Sequence, residues 1–138
     1  MLEFNLFLID YWYFSVPLFF FIFLFAYSEM NKGGKKIESN ELTRLVNKEN
    51  AILIDLRKKE DYESGHIMSA LNYPHQEFDN QMHELNKFKD RPIILVCDMG
   101  RNSANIGEKL KKAEFRETFR LNGGMMTWTQ DNLPVVQK

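Results

Sequence analysis

The chain has 138 residues, with 18 basic and 19 acidic side chains and a formal net charge of −1. This length suits one domain with its own hydrophobic core, and the near-neutral charge argues against a nucleic-acid-binding protein. The single cysteine excludes an internal disulfide, which is typical of proteins from a reducing compartment.

The first predicted element is a membrane-spanning helix. Residues Tyr11–Tyr27 are apolar or aromatic apart from Ser15. Leu6–Ile9 can add the turn that is needed to cross a bilayer core of roughly 30 Å, which leaves Asp10 near one interface. Tyr and Trp side chains at the ends are typical of interfacial anchors. We therefore expect an anchor within residues 1–29.

Two other interpretations of this segment are a cleaved signal peptide and a buried core helix. A signal peptide needs a basic n-region, whereas this one is acidic, and Ala26–Ser28 is a poor cleavage site. A core helix has one apolar face, whereas here apolar residues cover every face. A spanning anchor is favoured over both.

The flanking charges predict how the anchor is oriented. No Lys or Arg precedes it, whereas Lys32, Lys35 and Lys36 follow it closely. The positive-inside rule then places the N-terminus outside and the C-terminal domain in the cytoplasm. Residues 30–36 are interpreted as a flexible linker whose lysines can contact anionic headgroups.

Strands and helices alternate through residues 37–138. Runs of branched apolar residues predict strands at Ala51–Asp55, Ala70–Tyr73, Pro92–Val96 and Thr118–Leu121. Helices are predicted from Ser39 or Asn40, at Lys58–Ser64, at His75–Asn86, from a cap at Ser103, and from Gly123–Gly124 through Trp128. This alternation predicts an α/β fold with a doubly wound parallel sheet of about five strands, flanked by helices joined through right-handed crossovers.

The chain's only cysteine, Cys97, ends the third predicted strand and precedes a short loop and a helix. Open α/β sheets place ligand sites at this carboxyl edge. A helix N-terminus stabilises an anion such as a thiolate, and Gly100 allows successive N–H groups to converge. The sequence thus predicts a nucleophilic Cys97, with a buried structural cysteine as the alternative. The candidate anion cradle comprises Asp98, Met99, Gly100, Arg101, Asn102 and Ser103.

Asp55, Arg57 and His66 are candidate supporting residues. Asp55 and Arg57 lie at the same predicted sheet edge, where hydrogen bonding to neighbouring loops is the favoured role. His66 follows a helix-ending glycine and is interpreted as a packing and hydrogen-bonding residue rather than a base. The three histidines are nine and eight residues apart, a spacing that does not favour a metal site.

Several motifs occur in order along residues 37–138. They are Leu53–Arg57, Tyr62–Pro74, Cys97-x-x-Gly100-x-x-Ser103-Ala104, Gly123-Gly124-Met125-x-x-Trp128 and Leu133-Pro134. Together they resemble the rhodanese (sulfurtransferase) domain. A membrane helix followed by a single such domain is similar to the inner-membrane-anchored rhodanese-like proteins of Gram-negative bacteria.

This resemblance implies a rhodanese-like fold and a reaction at Cys97. The cysteine would take a sulfur atom from a sulfane-sulfur donor, hold it as a persulfide, and pass it to a thiol or another nucleophile. The family needs no metal or organic cofactor. Because the chain has no second cysteine, the acceptor must be external.

The cysteine loop departs from the family's usual Cys-x-x-Gly-x-Arg-Ser pattern. Asn102 occupies the arginine position, and Arg101 lies one residue earlier. Asp98 stands where thiosulfate-using members tend to carry a basic residue, and its charge repels anionic donors. We therefore expect poor turnover of thiosulfate. Ser103 occupies the arginine position of a Cys-x5-Arg loop, so phosphatase chemistry is not expected.

Two functions are compatible with these features. The first is a membrane-anchored sulfurtransferase or sulfur carrier, which the retained Cys97, Gly100 and Ser103 favour. The alternative is a catalytically weak binding module that acts as an adaptor for other inner-membrane proteins, which Asp98 and Asn102 favour. The expected partners are a sulfur donor, a thiol acceptor and the inner membrane, without nucleic acid.

The predicted orientation can be tested with a reporter fused after Lys138. Because the lysines follow the apolar segment, we expect an alkaline phosphatase fusion to be inactive and a green fluorescent protein fusion to fluoresce. Fusions placed before the apolar segment serve as the inverse control. Active phosphatase at the C-terminus would contradict the assigned orientation.

Overall fold

The computed structural model describes residues 2–30 and 33–137. The chain divides into an N-terminal helical unit and a C-terminal α/β unit. In the first unit, helix α1 spans Leu2–Asp10 and helix α2 spans Trp12–Met30, with a turn between them at Tyr11. The turn separates the predicted extension at Leu6–Ile9 from the main apolar helix.

The apolar helix alone is long enough to cross a membrane. Its candidate span, Trp12–Glu29, has 18 residues, none of them buried within the structure. Its large apolar side chains are exposed around the helix. Spanning helices and signal sequences share this length and composition.

The C-terminal unit is built on a five-stranded parallel sheet with the strand order β1-β5-β4-β2-β3. This topology confirms the predicted doubly wound α/β fold. The strands are β1 (Lys35–Ile37), β2 (Ile52–Asp55), β3 (Leu71–Asn72), β4 (Ile93–Val96) and β5 (Thr118–Leu121). The helices are α3 (Ser39–Lys48), α4 (Lys59–Ser64), α5 (Phe78–Gln81), α6 (Arg101–Lys112) and α7 (Gly124–Gln130).

The central strand β4 separates two apolar layers. Ile94 and Val96 belong to one layer, which α3 and α7 cover through residues such as Leu42 and Trp128. The alternate strand residues belong to the other layer, which α6 covers together with the segment around Phe78. Every side chain of β4 is at most 1% exposed, because a strand in the middle of a covered parallel sheet is buried on both faces.

The domain begins earlier than the sequence predicts. The expected linker of residues 30–36 includes Lys35 and Lys36, which form β1 with Ile37 and pair with β5; Asn31 and Lys32 lie outside the described residues. Only Ile37 is buried in this edge strand. Its pattern therefore lacks the apolar run that marks a strand, and pairing with β5 determines its structure.

Two helical predictions also differ from the structure. Helix α6 begins at Arg101 with Gly100 as its N-cap, so Ser103 lies in the first turn instead of capping the helix. The expected helix at His75–Asn86 is α5 flanked by two 3₁₀ segments, His75–Glu77 and Met82–Phe88. These short turns bury Phe78 and Leu85 completely, and this packing overrides the continuous helix that local propensity favours.

Candidate active site

Cys97 lies at the carboxyl edge of the sheet, immediately after β4. Its carbonyl accepts the Met125 N–H at 2.8 Å, and the carbonyl of Asp98 accepts the Met126 N–H at 2.9 Å. Both donors belong to the first turn of α7. The start of the cysteine loop is thus held by a neighbouring helix as well as by its own strand.

The loop directs a backbone amide at the sulfur. The Gly100 N–H donates to Cys97 Sγ with a nitrogen–sulfur distance of 2.9 Å. Gly100 has φ of 85° and is the N-cap of α6, a left-handed conformation that glycine adopts without steric cost. An N–H donor and the positive end of a helix dipole both interact favourably with negative charge, and the loop presents both to the sulfur.

Ser103 stabilises the loop from inside the domain. Its side chain is fully buried, and its hydroxyl donates to the Gly100 carbonyl at 2.9 Å. Gly100 therefore has its N–H bonded to the sulfur and its carbonyl bonded to the first turn of α6. These contacts limit the freedom of the peptide that faces the thiol.

A pocket of about 180 Å³ opens at Cys97, which is itself only 3% exposed. Of the predicted site residues, the structure brings Arg57, Asp98 and Asn102 to this pocket with the cysteine. Met99, Gly100 and Ser103 line a different pocket. Arg101 begins α6, and its side chain lies outside the described part of the structure. The full lining of the cysteine pocket is Leu56, Arg57, Lys58, Asp61, His75, Cys97, Asp98 and Asn102.

The cysteine pocket combines cations and anions. Lys58 and Arg57 contribute positive charge, and Asp61 and Asp98 contribute negative charge. Arg57, however, is paired with the buried carboxylate of Asp55. Among the described side chains, the remaining formal charges leave the pocket slightly negative, which disfavours a doubly charged anion near the thiol.

Asp55 and Arg57 form a buried ion pair. Arg57 Nη2 lies 2.8 Å from Asp55 Oδ2 and also donates to the Gly65 carbonyl at 2.7 Å. The side chains are 1% and 8% exposed, respectively. Asn72 Nδ2 donates to the main-chain carbonyl of Asp55 and to that of Arg57. The pair therefore connects the end of β2 to the end of α4 and to β3, while Arg57 also lines the pocket.

His66 lies apart from the cysteine pocket. Its Nδ1 is 2.7 Å from the Tyr62 carbonyl, and its ring stacks on the Tyr62 ring with centroids 3.8 Å apart. Its backbone exchanges two hydrogen bonds with Val136. His66 therefore fastens the C-terminal segment to the end of α4 and does not line the pocket.

Lys58 and His75 line the pocket although the sequence reasoning did not select them. The Nδ1 of His75 is 3.3 Å from the Leu56 carbonyl, which also accepts the His75 backbone N–H at 3.0 Å. Both residues follow predicted strands at the edge where the cysteine was placed. Because ligand sites form at the carboxyl edge of such a sheet, this shared position could have identified Lys58 and His75 as pocket residues from the sequence.

Burial shifts the pKa of several groups in this domain, among them Tyr62 and Arg120. Desolvation raises the pKa of Tyr62, and the Asp55 charge adds to the rise. Desolvation lowers the pKa of the Arg120 guanidinium, while negative charge at Cys97 and Glu108 acts in the opposite direction. A guanidinium stays protonated in proteins, so Arg120 retains its charge.

The buried ion pair predicts a large effect on stability. Because Arg57→Met leaves the Asp55 carboxylate buried and unpaired, we expect it to lower the free energy of unfolding by about 3–5 kcal/mol. Urea unfolding of the full chain in detergent, followed by Trp128 fluorescence in a Trp12→Phe background, measures the change. Arg44→Met, which removes two exposed ion pairs, is the matched control and should leave stability nearly unchanged. Equal effects of both substitutions would contradict the structural role.

Residues 38–131 match the family described as Rhodanese-like domain. YibN of Escherichia coli K12 is 36% identical over 113 residues, which cover 81% of this chain and 79% of YibN. The thiosulfate sulfurtransferase GlpE of Coxiella burnetii is 29% identical over 94 residues, which cover 68% of this chain and 86% of GlpE. The range matched by the family, 38–131, contains the whole cysteine loop and most of both apolar layers.

A solved structure shares the same architecture. The crystal structure of a rhodanese-related protein from Thermoplasma volcanium matches 75% of this chain and 99% of its own with a TM-score of 0.68 and 22% identity. At this identity the similarity shows the fold, and the family match assigns the domain. The chain thus belongs to the rhodanese-like domain family, as the order of its motifs predicted.

Proposed function

We propose that this chain is a membrane-anchored sulfurtransferase or sulfur carrier that forms a persulfide on Cys97. The observation that carries the proposal is the 2.9 Å hydrogen bond from the Gly100 N–H to the cysteine sulfur. It lies at the N-terminus of α6 and beside an open pocket. This arrangement favours a nucleophilic thiolate that a small donor can reach.

The proposed reaction has two balanced steps. In the first, the Cys97 thiolate attacks the outer sulfur of a sulfane-sulfur donor. A new sulfur–sulfur bond forms, and the bond to the donor breaks with its electron pair leaving on the donor. In the second, an acceptor thiolate attacks the outer sulfur of the persulfide, and the Cys97 thiolate is released. The loop amide would stabilise negative charge on sulfur in both steps.

The pocket charges favour a donor of low negative charge, such as a persulfide of a small thiol or of a protein cysteine. Asp98 and Asp61 line the pocket against the single lysine Lys58, and Arg57 is neutralised by its buried partner. Asn102 offers no positive charge toward an anionic donor. Thiosulfate, the substrate in the name of the Coxiella GlpE relative, is therefore proposed to be a poor donor here.

Membrane attachment is the second part of the proposal. The apolar helix Trp12–Glu29 has the length and composition of a spanning segment. Lysines follow it and none precedes it, which supports an inner-membrane anchor with the domain on the cytoplasmic side. That compartment keeps thiols reduced, as a lone catalytic cysteine requires.

A binding role is the second candidate. Burial of the Cys97 side chain and the carboxylate of Asp98 beside it both oppose catalysis. A domain of this kind would keep its fold and bind other inner-membrane proteins without transferring sulfur. The two candidates differ in whether a sulfur atom is ever bound to Cys97.

Intact-protein mass spectrometry distinguishes these candidates. After exposure of the full chain to glutathione persulfide and removal of excess donor, we expect a gain of one sulfur atom, because the cradle stabilises the modified cysteine. A thiol should reverse the gain, and Cys97→Ser should abolish it. Failure of persulfide and thiosulfate alike to modify Cys97 would contradict the sulfurtransferase proposal and favour the binding module.

The donor preference depends on the residue at position 102. Because Asn102→Arg adds a guanidinium to the cysteine pocket, we expect the rate with thiosulfate to rise by about tenfold, the effect of one added charge-assisted contact. The rate with glutathione persulfide should change less. Asn102→Gln is the matched neutral control. An unchanged thiosulfate rate in the arginine variant would show that this position does not limit donor choice.

A further inference from the structure

A second pocket, of about 150 Å³, shares the cysteine loop but is not lined by the cysteine. It includes Met99 and Gly100 from the loop, Ser103 from α6, and residues from β1 and β5. Its two ionisable lining side chains are Lys36 and Arg120, and no acidic side chain lines it among the described residues. Its charge is therefore opposite in sign to that of the cysteine pocket.

Arg120 is a buried cation without an ion-pair partner in the described part of the chain. Its side chain belongs to β5, and the residue is only 5% exposed. Its Nε donates to the Gly34 carbonyl at 3.1 Å, the one hydrogen bond that its side chain makes to a described residue. A guanidinium has five N–H donors, so most of its donor capacity is left for another acceptor. Burying such a charge unpaired is costly.

Lys36 adds a second positive charge to the same pocket. It pairs with Arg120 across the parallel strands β1 and β5, so both side chains lie on the same face of the sheet. Two nearby acids have other hydrogen-bond partners. The carboxylate of Glu108 accepts the Gly33 N–H at 2.7 Å, although its charge also acts on Arg120, and that of Glu38 accepts from Asn122 Nδ2 at 2.9 Å. Neither of these carboxylates lines the pocket.

The cysteine loop adds to the positive electrostatic potential of the second pocket. Gly100 lines the pocket and is the N-cap of the 12-residue helix α6, whose positive end is at this point. The volume of about 150 Å³ corresponds to roughly five water molecules at about 30 Å³ each. That is enough space for one small anion and a few waters.

We propose that this pocket binds a small tetrahedral oxyanion of the phosphate or sulfate class, with Arg120 and Lys36 as its cationic partners. A bound oxyanion would satisfy the free guanidinium donors and neutralise the buried charge. The anion can be a free ion or the headgroup phosphate of an anionic lipid. This binding site does not depend on sulfur transfer at Cys97.

Phosphorus NMR of the full chain in neutral detergent tests the proposal, with inorganic phosphate as the probe and Cys97→Ser as the background. We expect saturable line broadening of the phosphate resonance. Lys36→Gln should weaken the affinity by about tenfold, the cost of losing one charge-assisted contact. Lys35→Gln is the matched control, because Lys35 is a neighbouring exposed lysine on β1 that does not line the pocket, and it should bind as the parent does.

Arg120→Gln should abolish the broadening, and Arg120→Lys should restore part of it if the glutamine variant folds poorly.

Doping the micelles with phosphatidylglycerol distinguishes the two sources of the anion, the free ion and the lipid headgroup. Loss of phosphate binding in doped micelles would identify the lipid headgroup, and unchanged binding would identify the free ion; both support the oxyanion site. Absence of saturable binding, or equal weakening by the Lys35 and Lys36 substitutions, would overturn it. Either result would leave the sulfur-transfer test unaffected.

Discussion

The hydrogen bond from the Gly100 amide to the Cys97 sulfur is the contact on which the site depends. Burial among apolar side chains disfavours any charge on that sulfur, and the directed amide and the helix end favour it. The amide keeps its direction because the loop is held at both ends. The β4 strand and α7 bind its beginning, and the Ser103 hydroxyl binds the Gly100 carbonyl.

The two pockets beside the cysteine loop have charges of opposite sign. The cysteine pocket contains the acids Asp61 and Asp98 with one lysine, Lys58, and a neutralised arginine. The second pocket contains Lys36 and Arg120 without an acidic lining residue among those described. One loop thus borders an environment suited to donors of low charge and another suited to an anion. The proposed sulfur transfer at Cys97 and the proposed anion binding therefore use different pockets around the loop.

The first residues of the domain are fastened to the elements that carry the site. The Gly33 N–H is bound by Glu108 of α6, and the Gly34 carbonyl is bound by Arg120 of β5. Helix α6 begins at the cysteine loop, and Arg120 lines the pocket beside that loop. Gly33 and Gly34 therefore contact α6 and β5, and Lys35–Ile37 form an edge strand of the sheet, where the sequence pattern had indicated a linker.

The sequence by itself determined the family, the parallel α/β architecture, the apolar helix and the position of Cys97 after a buried strand. Each of these depends on local features, namely runs of branched apolar residues, short motifs and one continuous apolar segment. Strand β1 was not predicted from the sequence because two of its three side chains are exposed and it has no apolar run. Its strand structure depends on pairing with β5. The start of α6 at Arg101 and the division of the 75–88 region into short turns were also decided by tertiary structure. The same holds for the positions of Lys58, His75 and Arg120 in the two pockets. All of these features have the same physical reason. They depend on burial, strand pairing and pockets formed by residues that are distant in sequence, and such contacts cannot be predicted from a local sequence pattern.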